Sequence, residues 1–277
     1  MSSYPDSEAH GAKSRQARQP EQRAAAGGSL LGLCSLCALA LVPLGQVYVG
    51  FGAVGTILAA VAGAIGTRIR DWTTVRVASM TLLIALTGVI GVPFGIWFVV
   101  GLIWLASRRL PQLAPDTGWL PPGRATPVVW WLAGMVVVAA GIGLTLWARW
   151  TDQFGESTME LVEAARRLPG AALAVSVIAF VVVNATCEEI AYRGIAFEAA
   201  IAFLPPMGAV AAQGVAFATL HVAGFPAGPV GVGLALGYGL VLGTIRQVTG
   251  GLRFPIVAHM AADATIAVLV IALLLPG

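Results

Sequence analysis

The side chains best suited to chemistry stand where a bilayer should exclude them. In the stretch FVVVNATCEEIAYRGIAF, Phe180 to Phe197, the residues Glu188, Glu189 and Arg193 follow an apolar run that carries no charge after Arg167. An ionisable group at membrane depth costs about 2.5–3.5 kcal/mol or more, so it persists mainly where it faces a protein interior and performs a function. His221 and His259 also fall in apolar segments, whereas His10 does not, and Asp263 follows His259 by one helical turn. Polar groups on three separate apolar segments are satisfied most readily by meeting one another.

Helical spacing sorts these groups. Glu189 and Arg193 are i, i+4 in the order that favours an ion pair. Glu188 lies about 100° around the helix from Glu189 and about 140° from Arg193, which makes it the freer carboxylate. His259 and Asp263 share one face of the final helix, and His221 comes from a third segment. Two chemistries fit. Glu188 could activate a water that attacks a carbonyl while the histidines stabilise the oxyanion. Alternatively, a metal site drawn from His221, His259 and Asp263 could hold a zinc ion that does both. Hydrolysis of an acyl or peptide bond suits either.

The elements that must position these groups follow from composition. The 277 residues are 58% hydrophobic and 10% charged, with a mean hydropathy of +0.85. A soluble domain carries roughly 25% charge, so the expected class is an all-α polytopic membrane protein. At about 20 residues per span, the chain has room for about seven to nine transmembrane helices, an active site in a cavity between them, and no large soluble domain. The net charge of +3 and pI of about 9.0 do not indicate nucleic acid. The basic residues, of which Lys13 is the only lysine, gather at the ends of apolar runs and read as topology signals. Cys34, Cys37 and Cys187 lie in apolar sequence and read as packing residues.

In chain order, residues 1–27 are polar and read as a disordered cytoplasmic tail. Residues 28–126 read as transmembrane hairpins followed by a basic loop. The uncharged run from Leu30 to Thr67 would reach about 57 Å as one helix, nearly twice the hydrocarbon core, so a break is expected near Pro43 to Gly50. The run from Val77 to Ala106 has Gly91, Pro93 and Gly95 at its middle and reads as a second hairpin or a kinked helix. Residues 127–277 read as a helical membrane domain. It holds a span near Val128 to Trp147, a loop over 149–169 and four further apolar segments, near 171–200, 206–223, 229–246 and 254–275. The clustered glycines Gly231, Gly233, Gly237, Gly239 and Gly243 read as close helix packing.

Three ordered motifs in this last region resemble those of the CPBP family of intramembrane proteases, the CaaX prenyl endopeptidase and bacteriocin-processing (Abi-type) family. They are Glu188-Glu189-Ile190-Ala191-Tyr192-Arg193 for EExxxR, Phe217-Ala218-Thr219-Leu220-His221 for FxxxH, and His259-Met260-Ala261-Ala262-Asp263 for HxxxN/D. The resemblance covers about residues 170–270. It implies an intramembrane endopeptidase with Glu188 as the water-activating base, Glu189 and Arg193 in support, and His221, His259 and Asp263 binding a metal or steadying the oxyanion. One departure stands out: many members place asparagine where this chain has Asp263. An asparagine donates a hydrogen bond, which an ionised aspartate cannot do. This shifts the expectation for Asp263 toward a metal ligand or an orienter of His259.

The expected partners are the lipid bilayer and a membrane-associated peptide or protein substrate, with no nucleic acid. The preference for arginine over lysine and the Ala, Gly and Val richness point to a bacterial cytoplasmic membrane, and the charge pattern places the N-terminus in the cytoplasm. Two other readings belong to different classes. A proton-coupled transporter also uses buried Glu and His chains, although no internal repeat is evident. A non-catalytic immunity or scaffold protein would keep the motifs without needing their chemistry.

Overall fold

The structure, a computed structural model, describes residues 30–87, 94–115, 118, 120–150 and 156–274. The expected tail and the expected break around Gly91 and Pro93 lie outside the described residues. Within them all regular structure is helical.

The first uncharged run divides as its length requires, into α1 (Leu30–Leu44) and α2 (Val49–Ile69). A turn joins them, with Gly45 N donating to Val42 O at 3.0 Å and Tyr48 N to Leu44 O at 2.9 Å. The two helices close up at glycine: a Cβ on Gly45 would lie 2.6 Å from Gly52 Cα. Arg70 ends α2 in a left-handed conformation, φ 61°. α3 (Trp72–Thr87) then starts at Asp71, whose carboxylate accepts from Thr74 N at 3.2 Å and Thr74 Oγ1 at 2.6 Å. This satisfies donors that a helix start leaves open.

α4 (Phe94–Arg109) and α5 (Pro127–Trp150) follow. The expected loop over 149–169 contains a helix, α6 (Glu156–Arg166). Its sequence is amphipathic, burying Val162 and pairing Glu163 with Arg166 and Arg167 at i+3 and i+4, which its charge content alone does not reveal. α7 (Gly170–Glu189) continues without a break through a π-helical segment, Ile190–Ala196, into the short α8 (Phe197–Ile201). α9 (Pro206–Thr219), a 3-10 turn at Leu220–Val222, α10 (Gly228–Thr249) and α11 (Arg253–Leu274) complete the chain.

Among the described residues, five helical stretches are long and apolar enough to cross a membrane: α2, α5, the continuous stretch 170–201, α10, and 253–272 of α11. α1 and most of α3 are shorter apolar helices. Val175, Ile178, Trp131, Ile142 and Val268 are exposed on the outer faces. Large exposed apolar surface of this kind suits lipid. The main core joins α1, α3, α4, the π segment, α9 and α10.

α9 is short. Its 14 residues rise about 21 Å, against about 33 Å for the 22 of α10, so the chain turns from one into the other before a full hydrocarbon thickness of about 30 Å.

Candidate active site

α7 carries the first part of the site at its end. Val181, Asn184, Ala185 and Glu188 recur at one-turn spacing and are buried, whereas Val175, Ile178, Val182 and Val183 are exposed. One face of the helix therefore meets protein and the other meets lipid. Directly after Glu189 the backbone widens into the π segment, where the Phe197 N–H reaches back five residues to Tyr192 O and every residue is buried. Such wide turns recur at functional sites. This one carries Arg193 into the protein centre with no exposed surface.

Arg193 is held on several sides. Its Nη1 lies 3.0 Å from Glu189 Oε1, its Nη2 donates to Gly239 O at 3.4 Å, and its guanidinium stands 4.5 Å over the Phe217 ring. Gln213 Nε2 donates to the same Gly239 carbonyl at 3.0 Å. That carbonyl is reachable because α10 packs tightly on α9 at this level: a Cβ on Gly239 would meet Gly214 Cα and Phe217 Cδ1, each at 3.3 Å. Arg246 Nε completes the enclosure by donating to Arg193 O at 3.1 Å.

Glu189 does more than the expected pairing with Arg193. The same Oε1 lies 2.7 Å from His259 Nδ1 on α11. An ionised carboxylate only accepts, so the imidazole donates its Nδ1–H, which fixes the ring and turns Nε2 the other way. Nε2 then faces Glu188 Oε2 at 3.6 Å and Asp263 Oδ1 at 3.5 Å. The two glutamates differ in access: the Glu189 side chain is 0% exposed and that of Glu188 7%.

The structure thus brings Glu188, Glu189, Arg193, His259 and Asp263 together from α7, the π segment and α11. His221 stands apart from them. Its Nδ1 lies 3.3 Å from Phe217 O, and a carbonyl only accepts, so Nδ1 carries the hydrogen. The Phe217 ring packs against both imidazoles, with centroids 5.0 Å from His221 and 6.4 Å from His259. His221 and His259 therefore share Phe217 as an aromatic neighbour.

Residues the sequence reading left out complete the surroundings. Asn184, one turn before Glu188, donates through Nδ2 to Asp263 Oδ2 at 3.2 Å and accepts from Trp97 Nε1 at 3.4 Å. Tyr238 packs its ring 5.2 Å from His259. Asn184 and Trp97 are both neutral, and neither falls in one of the three motifs.

Of the three residues expected for a metal, His259 and Asp263 face each other, Nε2 to Oδ1 at 3.5 Å. His259 Nδ1 bonds Glu189 and His221 Nδ1 bonds the Phe217 carbonyl, which leaves Nε2 of each ring as its remaining ligating atom. Among the described residues no group of three or more His, Cys, Asp or Glu side chains is arranged to hold a metal ion.

Fold and site together define a helical membrane protein with a buried carboxylate–imidazole centre. Residues 170–265 match the family model of the type II CAAX prenyl endopeptidases, Rce1-like. The match covers about a third of the chain and supports the resemblance to CAAX-type intramembrane proteases read from the three motifs. Neither the curated proteins nor the solved structures contain a match to the chain.

Proposed function

We propose that the protein is an intramembrane endopeptidase that hydrolyses peptide bonds of membrane-associated proteins or peptides, with Glu188 as the base that activates water. The observation that carries this reading is the contrast between adjacent carboxylates. Glu189 is sealed between Arg193 and His259, while Glu188 keeps a small exposed surface and makes no hydrogen bond among the described residues beyond its 3.6 Å approach to His259 Nε2.

In the proposed reaction Glu188 takes a proton from water as the oxygen bonds to the scissile carbonyl carbon, and the carbonyl π electrons move onto oxygen. Collapse of that oxyanion re-forms the carbonyl and breaks the C–N bond, and the departing amine receives the proton from Glu188. Glu189 and Arg193 hold His259 in place, and His259 and Asp263 form the wall facing Glu188. His221 packs against Phe217, the ring that also packs on His259. No step is routed through a metal.

The test is cleavage by purified protein in detergent of quenched fluorogenic peptides that carry an apolar segment. Glu188→Gln should lower kcat on the order of 10²–10⁴-fold, the range of a general base, with KM little changed. Full activity in that variant would sink the assignment. Chelator treatment and metal analysis of the same sample should leave cleavage unchanged and show no stoichiometric metal. Loss of activity that zinc restores would replace the glutamate-only mechanism with a metal-assisted one.

A further inference from the structure

Asp263 poses a chemical problem for the proposed hydrolysis. The reaction develops negative charge on the carbonyl oxygen, and an ionised aspartate only accepts hydrogen bonds, so it cannot stabilise that charge. The geometry points to Asn184 as the amide that donates to the oxyanion, with Asp263 and Trp97 acting to aim it. The inference rests on the peptidase reading and extends it to a residue outside the three motifs.

Three observations carry it. First, Asn184 precedes Glu188 by four residues on the same helix, so both side chains rise from one face toward α11. Second, both ends of the amide are assigned by their partners. The Trp97 indole N–H can only donate, so it requires Oδ1, and the Asp263 carboxylate can only accept, so it requires Nδ2. Third, Nδ2 carries two hydrogens and Asp263 takes one, leaving a second N–H on a side chain that is 6% exposed. A donor fixed before the substrate arrives needs no reorganisation during the reaction. In this chain the amide function thus comes from α7 and the carboxylate from α11.

The experiment uses the full chain in detergent and a fluorogenic peptide that the wild type cleaves. Asn184→Ala should lower kcat about 10²–10³-fold, the effect of losing one oxyanion donor, with KM changed less than about threefold. A phosphinate isostere of the peptide, which mimics the tetrahedral intermediate, should lose affinity by the same factor as kcat/KM. A residue that only supported the fold would not single out the intermediate in this way.

Two further variants answer if Asn184→Ala fails to fold. Trp97→Phe removes only the aiming N–H and should lower kcat about 3–10-fold on the same peptide. The exchange Asn184→Asp with Asp263→Asn restores one amide and one carboxylate, and should recover at least tenfold of the activity lost in Asn184→Asp alone. Wild-type kcat and phosphinate affinity in Asn184→Ala, or in Trp97→Phe where only that variant folds, overturn the inference while leaving the peptidase reading in place. A wild type that cleaves no peptide of the set overturns both.

Discussion

The N-terminal helices α1 to α4 and the core over 170–265 are both built from apolar helices, yet they differ in how far their buried polar side chains reach. In the N-terminal part the hydroxyls bond to their own helix: Ser35 to Gly32 O, Thr81 to Val77 O and Ser107 to Trp104 O, three or four residues back. In the core Thr219 and Thr249 do the same, but the charged and amide groups add bonds that span the chain: Glu189 to His259, Asn184 to Asp263, Arg246 to Arg193 O. The first pattern lets helices be placed by packing alone, while the second makes three helices depend on one another. Arg76, which reaches Ala114 O and holds the segment after α4 against α3, and Trp97, which reaches Asn184, are N-terminal exceptions.

This contrast can be broken by substitution. The largest loss of stability is expected for Arg193→Met, which removes the cation paired with the Glu189 carboxylate at a site with 0% exposure. Breaking one side of a buried pair costs about 3–5 kcal/mol, read as a fall in unfolding free energy in mixed detergent micelles. An unchanged midpoint would show that the core does not depend on the pair. Next comes His221→Ala, which separates activity from stability. Its hydrogen bond to Phe217 O, at 3.3 Å, is local, so the substitution should cost about 1 kcal/mol or less in unfolding while cleavage falls measurably. A stability loss as large as that of Arg193→Met would move His221 into the interlocked group. Smallest is Thr81→Val, which keeps shape and removes a local bond. It should cost about 1 kcal/mol and leave kcat within about twofold. A kcat effect there would mean that the N-terminal helices tune the site through more than Trp97.

The parts legible in sequence were those with a charge or a length to betray them. The 30–67 run had to break because one helix of that length overshoots a bilayer, and it breaks at 45–48. Glu189 and Arg193 were readable as a pair from their spacing, and His259 and Asp263 as neighbours. What spacing could not give was the partner across the fold, since two groups seventy residues apart, as Glu189 and His259 are, leave no periodic trace. Asn184 is neutral and Trp97 resembles any lipid-facing aromatic, so neither stood out. Phe217, four residues before His221, is readable as a motif letter but not as a ring that packs on both imidazoles.

Every hydrolysed bond consumes a molecule of water, a reagent that the hydrocarbon interior does not stock. The brevity of α9 bears on its delivery. The helix stops after about 21 Å, and the chain then runs from Leu220 to Ala227 as a 3-10 turn and bends rather than as α-helix. Backbone that is not helical at membrane depth persists where it is packed in protein or borders a wet cavity. Past Leu220 this segment is half-buried to exposed, and it begins at His221, beside the Phe217 ring that touches His259. For the proposed hydrolysis, a helix cut short thus sets non-helical backbone beside the ring that packs on His259, where water would have the shortest way past the helices.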